Sequence, residues 1–154
     1  MKKALGILLA TAMLMSSFAF PVLAASSSGG GGGGGVISTL GVQGIWTYHK
    51  EIDKWTFADT TGYQYKGRWG YLYNPYTKRS VKVGWFYFDE QGYMLTGWNW
   101  IKSADGKARC YFMYPVPDGD RGTVQLGGTV TDENGTREVN ADGAWILNGK
   151  EVTR

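Results

Sequence analysis

From Gly84 to Ile101 the chain reads Gly-Trp-Phe-Tyr-Phe-Asp-Glu-Gln-Gly-Tyr-Met-Leu-Thr-Gly-Trp-Asn-Trp-Ile, and few backbone conformations accommodate it. Aromatic residues favour a pleated, half-buried surface, and the polar Asp89-Glu90-Gln91-Gly92 supplies turn chemistry before the chain returns as Tyr93-Met94-Leu95-Thr96. The pattern predicts a β-hairpin. Because side chains alternate along a strand, Trp85 and Tyr87 are expected on one face and Phe86 and Phe88 on the other.

The same landmarks recur. Trp46-Thr47-Tyr48 leads to Trp55-Thr56-Phe57-Ala58-Asp59 and a turn at Gly62; Trp69-Gly70-Tyr71 leads to Trp85-Phe86-Tyr87-Phe88-Asp89 and the turn at Gly92. Trp98-Asn99-Trp100 leads to Cys110-Tyr111-Phe112-Met113-Tyr114 and the loop Asp118-Gly119-Asp120. The opening tryptophans at 46, 69 and 98 are 23 and 29 residues apart, a period typical of supersecondary repeats with loop insertions. All seven Trp and all ten Tyr lie after Gly35, and no aliphatic stretch has helical spacing. The expected class is all-β, its core built from aromatic strands and Gly-rich turns. No single unit covers its own aromatic face, so neighbours must stack on it as a solenoid of hairpins; a compact barrel or sandwich with incidental repetition is the other arrangement.

Trp85-Phe86-Tyr87-Phe88-Asp89 with Gly92-Tyr93-Met94-Leu95-Thr96-Gly97-Trp98 resembles the repeat of the choline-binding and related cell-wall-binding modules of Gram-positive surface proteins. That repeat reads Trp-Tyr-Tyr-Phe-Asp, two variable residues, Gly, x, Met, x, Thr-Gly-Trp. The segment Val139-Asn140-Ala141-Asp142-Gly143-Ala144-Trp145 is similar to the one that closes many clostridial-type modules of this kind. The resemblance spans roughly residues 44–150. It implies a β-hairpin solenoid over 44–154, with units near 46–68, 69–97 and 98–128 and a capping hairpin over 129–154, in which Trp145 covers the last aromatic layer.

In that family a ligand cage forms between successive repeats from the opening Trp, the first ring of the Trp-Tyr-Tyr triplet and a Tyr of the next repeat. Carried onto this sequence, the resemblance implies one cage of Trp46, Trp55 and Tyr87 and a second of Trp69, Trp85 and Tyr111. The third unit offers Trp98 but has Cys110 where the cage tryptophan stands, so Cys110→Trp would restore the family's ring. Ile45 and Arg68 separate Gly from Trp in the first two units, where the family's pair is contiguous, as at Gly97-Trp98. The alternative for every ring is plain core packing of hairpin on hairpin.

Ahead of the repeats, Met1-Lys2-Lys3, an apolar run to Met15 and Val22-Leu23-Ala24 have the three parts of a secretory signal peptide, with cleavage expected after Ala24. A retained anchor needs about 20 unbroken apolar residues, and Ser16, Ser17 and Pro21 interrupt the run. Residues 25–43 hold seven consecutive glycines and read as a flexible tether. Cleavage would remove Lys2 and Lys3 and no acidic residue, lowering the formal charge from +3 to +1. A nearly neutral chain gives no electrostatic footprint for nucleic acid, and no integral membrane segment is expected after signal cleavage.

Catalytic and metal chemistry find little support. Nucleophilic catalysis needs a nucleophile with a base beside it, and His49 and Cys110, the only His and Cys, lie in different repeats. One His and one Cys do not make a zinc site. His49 reads as a hairpin-edge residue and Cys110 as a small buried hydrophobe, with no internal disulfide open to it. Asp118-Gly119-Asp120 and Asp132-Glu133 sit among turn residues without the spaced oxygens of a calcium loop. No enzyme activity and no cofactor are expected. What remains is aromatic density, suited to stacking on sugars or enclosing a quaternary ammonium. The expected function is a secreted, cell-wall-associated binding module whose partner is a choline-bearing polymer or a wall glycan. A structural or adhesive surface protein that binds another protein, its aromatic rows only core, is the alternative.

Overall fold

The structure is a computed structural model and describes residues 41–154; the expected signal peptide and nearly all of the expected linker lie outside the described residues. The described chain is all-β apart from one 3-10 turn at Lys50–Ile52. Three antiparallel hairpins follow one another: β1 (Gly44–His49) with β2 (Lys54–Asp59), β3 (Arg68–Tyr73) with β4 (Val83–Phe88), and β5 (Gly97–Lys102) with β6 (Ala108–Met113). A four-stranded antiparallel sheet closes the array, formed by β7 (Thr129–Asp132), β8 (Gly135–Val139), β9 (Trp145–Leu147) and β10 (Lys150–Glu151). The capping element is thus wider than a hairpin, since each of its three turns, at Asn134, Asp142 and Asn148-Gly149, joins a further pair of strands.

The turn after each hairpin follows from its sequence. Asp89 Oδ1 accepts the Gln91 and Tyr93 amides at 3.0 and 2.8 Å, and Asp59 Oδ1 accepts those of Thr61 and Tyr63. These aspartates satisfy donors that the reversing chain leaves free. Gly92 takes φ +94° there, a conformation a side chain resists. The returning segment then bonds both its own hairpin and the previous one. Leu95 N donates to Tyr87 O at 2.9 Å, while Met94 N donates to Trp55 O at 2.8 Å; one unit later Gln125 N donates to Phe112 O and Val124 N to Trp85 O. Ladder hydrogen bonds therefore run between units as well as within them, and Tyr111 bridges Ala144 of the terminal sheet in the same way.

Alternation then divides the core. On β4, Phe86 and Phe88 are 1% and 0% exposed and pack with Phe57, Tyr65, Leu72 and Met94, beneath Trp46 and Trp55. Trp85 and Tyr87, on the opposite face, join Trp69 and Leu95 against Ile101, Tyr111, Met113, Val124 and Ala144. The first two hairpins present a mainly Trp/Tyr face forward and receive the next hairpin's Phe, Leu, Ile, Met and Tyr residues against it. Burying a ring of this size stabilises by about 1.5–3 kcal/mol.

One connection departs from neighbour-to-neighbour stacking. The loop after β6 reaches back past the second hairpin. Asn74 Nδ2 donates to Gly119 O at 2.7 Å, Arg79 pairs with Asp120 at 3.0 Å, and Arg121 forms a two-pronged ion pair with Asp53 in the first hairpin's turn at 2.7 and 2.8 Å. Asn74 and Thr77 are buried polar residues satisfied within this clasp.

Candidate aromatic ligand site

Strand register sets the aromatic faces. In β1–β2, Trp46 stands opposite Phe57 and Tyr48 opposite Trp55. In β3–β4, Trp69 is opposite Tyr87 and Tyr71 opposite Trp85; in β5–β6, Trp98 is opposite Phe112 and Trp100 opposite Cys110. Each forward face therefore carries a block of four positions, all rings except Cys110.

At the first junction, Trp46 lies 4.9 Å from Phe57 and from Phe86, and its Nε1 donates to Tyr73 O at 2.9 Å. Trp55 stands edge-on to Trp46 at 6.5 Å and faces Tyr76 at 5.3 Å. Trp46, Trp55, Tyr76 and Met94 wall a small open cleft of about 40 Å3, with Asn74, Asp118 and Arg121 on its polar side. The structure thus brings together the expected Trp46 and Trp55. The expected third ring, Tyr87, is elsewhere: β4 turns it to the far face, 5.0 Å from Trp69. Its place is divided between Phe86, which forms the floor, and Tyr76, 53% exposed at the rim. Tyr76 comes from the irregular segment after β3, where no periodicity marks it. The only local signal is the Asn74-Pro75 turn pair, whose Asn74 Oδ1 accepts the Tyr76 amide at 3.0 Å.

At the second junction Trp69 meets Tyr111 edge-on at 4.9 Å and Tyr87 at 5.0 Å, while Trp85 pairs with Tyr71 at 5.1 Å. Trp69, Trp85 and Tyr111 do converge on one layer, and that layer is packed with Met113, Val124 and Ala144. Burial pushes the Tyr111 and Tyr87 hydroxyls above their ordinary pKa. At the third junction Trp98 and Trp100 lie 6.5 and 6.3 Å from Trp145. Cys110, 4% exposed on β6, has its thiol pKa raised by burial, with Arg137 and Arg154 pulling the other way. A thiol so placed stays protonated and unreactive.

The residues set aside for catalysis occupy structural positions. His49 ends β1 with Nε2 3.0 Å from Thr56 Oγ1. Asp118 Oδ1 accepts the Asp120 amide and Asp132 Oδ1 the Asn134 amide, both inside turns. Among the described residues no three His, Cys, Asp or Glu side chains group as a metal site, and no helix is long and apolar enough to cross a membrane.

The hairpin array with aromatic forward faces resembles the choline-binding repeat modules. No family model matches the chain, and no curated protein does. Similar solved structures include choline-binding protein F from Streptococcus pneumoniae (22% identity, 66% of this chain, 28% of that chain, TM-score 0.46). The modular Cpl-1 endolysin complexed with a peptidoglycan analogue is similar at 21% identity, over 72% of this chain and 27% of that chain, TM-score 0.49. Truncated alternansucrase from Leuconostoc mesenteroides NRRL B-1355 is similar at 27% identity, over 62% of this chain and 7% of that chain, TM-score 0.41. This chain spans under a third of the length of each.

Proposed function

We propose that the protein is an exported, non-catalytic module that binds cell-wall polymer through the cleft between its first and second hairpins. Residues 1–24 act as its signal peptide and 25–43 as a tether. The observation that carries this reading is the first-junction cleft, where Trp46, Trp55 and the exposed Tyr76 meet around open space. The rings of the second junction are consumed by packing. On this reading Trp69, Trp85, Tyr87 and Tyr111 are core, and Trp46, Trp55, Tyr76 and Met94 face the ligand. The likeness of the middle repeat to wall-binding modules supports a wall polymer as the partner.

Each ring around a quaternary ammonium contributes about 0.5–2 kcal/mol, so a three-ring cleft reaches only the order of millimolar affinity. Retention at a wall then depends on many identical groups along one polymer, or on a glycan laid across Trp55 and Tyr76. The test is pull-down of the protein by purified walls, with choline or soluble wall glycan as competitor and Trp55→Ala as the variant. Competition by either, together with loss of pull-down on Trp55→Ala at unchanged folding, is the expected result. Undiminished pull-down by Trp55→Ala would refute the cleft.

A further inference from the structure

The third hairpin's forward face lacks one ring, since Cys110 stands where the first two hairpins carry Trp55 and Trp85. The terminal sheet supplies another. Trp145 on β9 lies across Trp98 and Trp100, so three indoles from two elements surround one region. That region holds a cation from the chain itself. The Arg137 guanidinium, projected by β8, sits 5.0 Å from the Trp98 ring centroid and 5.4 Å from that of Trp145. Arg154 lies 4.4 Å over Trp100.

All three distances are within the reach of cation–π attraction, and the arrangement is anchored. Asp132 Oδ2 accepts the Trp98 Nε1 proton at 2.7 Å and the Arg137 Nη1 proton at 3.2 Å. One carboxylate thus fixes both the ring and the cation laid against it. Arg137 and Asp132 are each about three-quarters buried, with side-chain exposures of 25% and 24%. Both guanidiniums also act on the Cys110 thiol.

We propose that the third junction is an aromatic cation site occupied by the protein's own Arg137, an internal ligand that holds the terminal sheet against the last hairpin. Removing that guanidinium leaves Trp98, Trp145 and the Asp132 carboxylate facing one another, a combination that accepts a small organic cation of the quaternary ammonium class. The inference stands on contacts within the chain and does not rest on the first-junction cleft.

The experiment compares the parent protein with Arg137→Ala, measuring the melting temperature in rising tetramethylammonium chloride against matched sodium chloride. Arg137→Ala should melt lower than the parent. It should then regain about 5 °C at tens of millimolar tetramethylammonium, as a millimolar site saturated in the folded state alone predicts. The first-junction cleft is identical in both proteins, so the excess shift of the variant over the parent reads the third junction. A responsive variant with an unresponsive parent supports the internal ligand while counting against the first cleft as an ammonium site. Equal shifts in the two proteins would overturn the proposal. Arg137→Gln, which keeps the stem and a donor for Asp132 but no charge, serves with the same two outcomes where the alanine variant does not fold.

Discussion

Gly119→Ala probes the clasp that sets Tyr76 over the cleft. An added Cβ at Gly119 would stand 2.0 Å from the Tyr76 carbonyl oxygen and 2.6 Å from its carbonyl carbon. Both are backbone atoms, so no rotamer change relieves the contact. The two loops must separate, and the Asn74 Nδ2 bond to Gly119 O, 2.7 Å in the parent, is lost with them. Asn74 is 6% exposed, and stranding a buried amide donor costs about 1–3 kcal/mol. Forcing apart a packed contact adds about 1–3 kcal/mol, part of it shared with the first loss. The expected destabilisation is about 2–4 kcal/mol, which at a urea m-value of about 2 kcal/mol/M moves the midpoint down by roughly 1–2 M. Urea unfolding followed by tryptophan fluorescence measures it, with Gly106→Ala as control. There the added Cβ meets nothing, and only the left-handed backbone costs about 1–2 kcal/mol. If Gly119→Ala were no less stable than Gly106→Ala, the clasp would not hold the loops as described.

Two further outcomes concern the third junction and its carboxylate. Cys110→Trp should lose about 1–3 kcal/mol by overpacking, because Cys110 is 4% exposed opposite Trp100 with Arg137 and Arg154 nearby; a urea midpoint at or above the parent's would refute this. The Asp132 carboxyl is held below its ordinary pKa first by the Asn134 amide, then by the Trp98 indole and Arg137, against the opposing effect of burial. A carboxyl lowered on folding contributes stability that is full above the ordinary carboxylate range and lost as pH falls through its folded value. Asp132→Asn should therefore flatten the acid side of the stability profile below about pH 4, and an unchanged acid slope in urea titrations at stepped pH would count against it.

Local pattern carried the hairpins. The split of Trp85 and Tyr87 from Phe86 and Phe88 follows from alternation alone, and the turn at Gly92 from Asp89 three residues before it. Those features need no information from beyond the segment. The partner of each ring is different, because it depends on which face a neighbouring hairpin covers. Family spacing assigns Tyr87 to the first junction, yet β4's pleat commits Phe86 and Phe88 to that side and sends Tyr87 to the other. No local pattern marks Tyr76, because its loop is fixed by a contact between residues 45 apart in sequence, Asn74 and Gly119. Nor does one mark Arg137 and Arg154 as ring partners, because the rings they cover belong to another element. Cys110 was legible as a small buried residue, since an unpaired thiol within an aromatic strand has little else to do.

The backward reach of Arg121 to Asp53 bears on how the array would yield under tension. Hairpins strung in series rip one after another, each event releasing one unit's length of chain. Here the first hairpin is tied to the loop of the third, across the second, so a pull on β1 loads two junctions in parallel. Rupture of that tie would leave the first hairpin held by its shared core and by the Met94 N to Trp55 O and Trp46 Nε1 to Tyr73 O bonds alone.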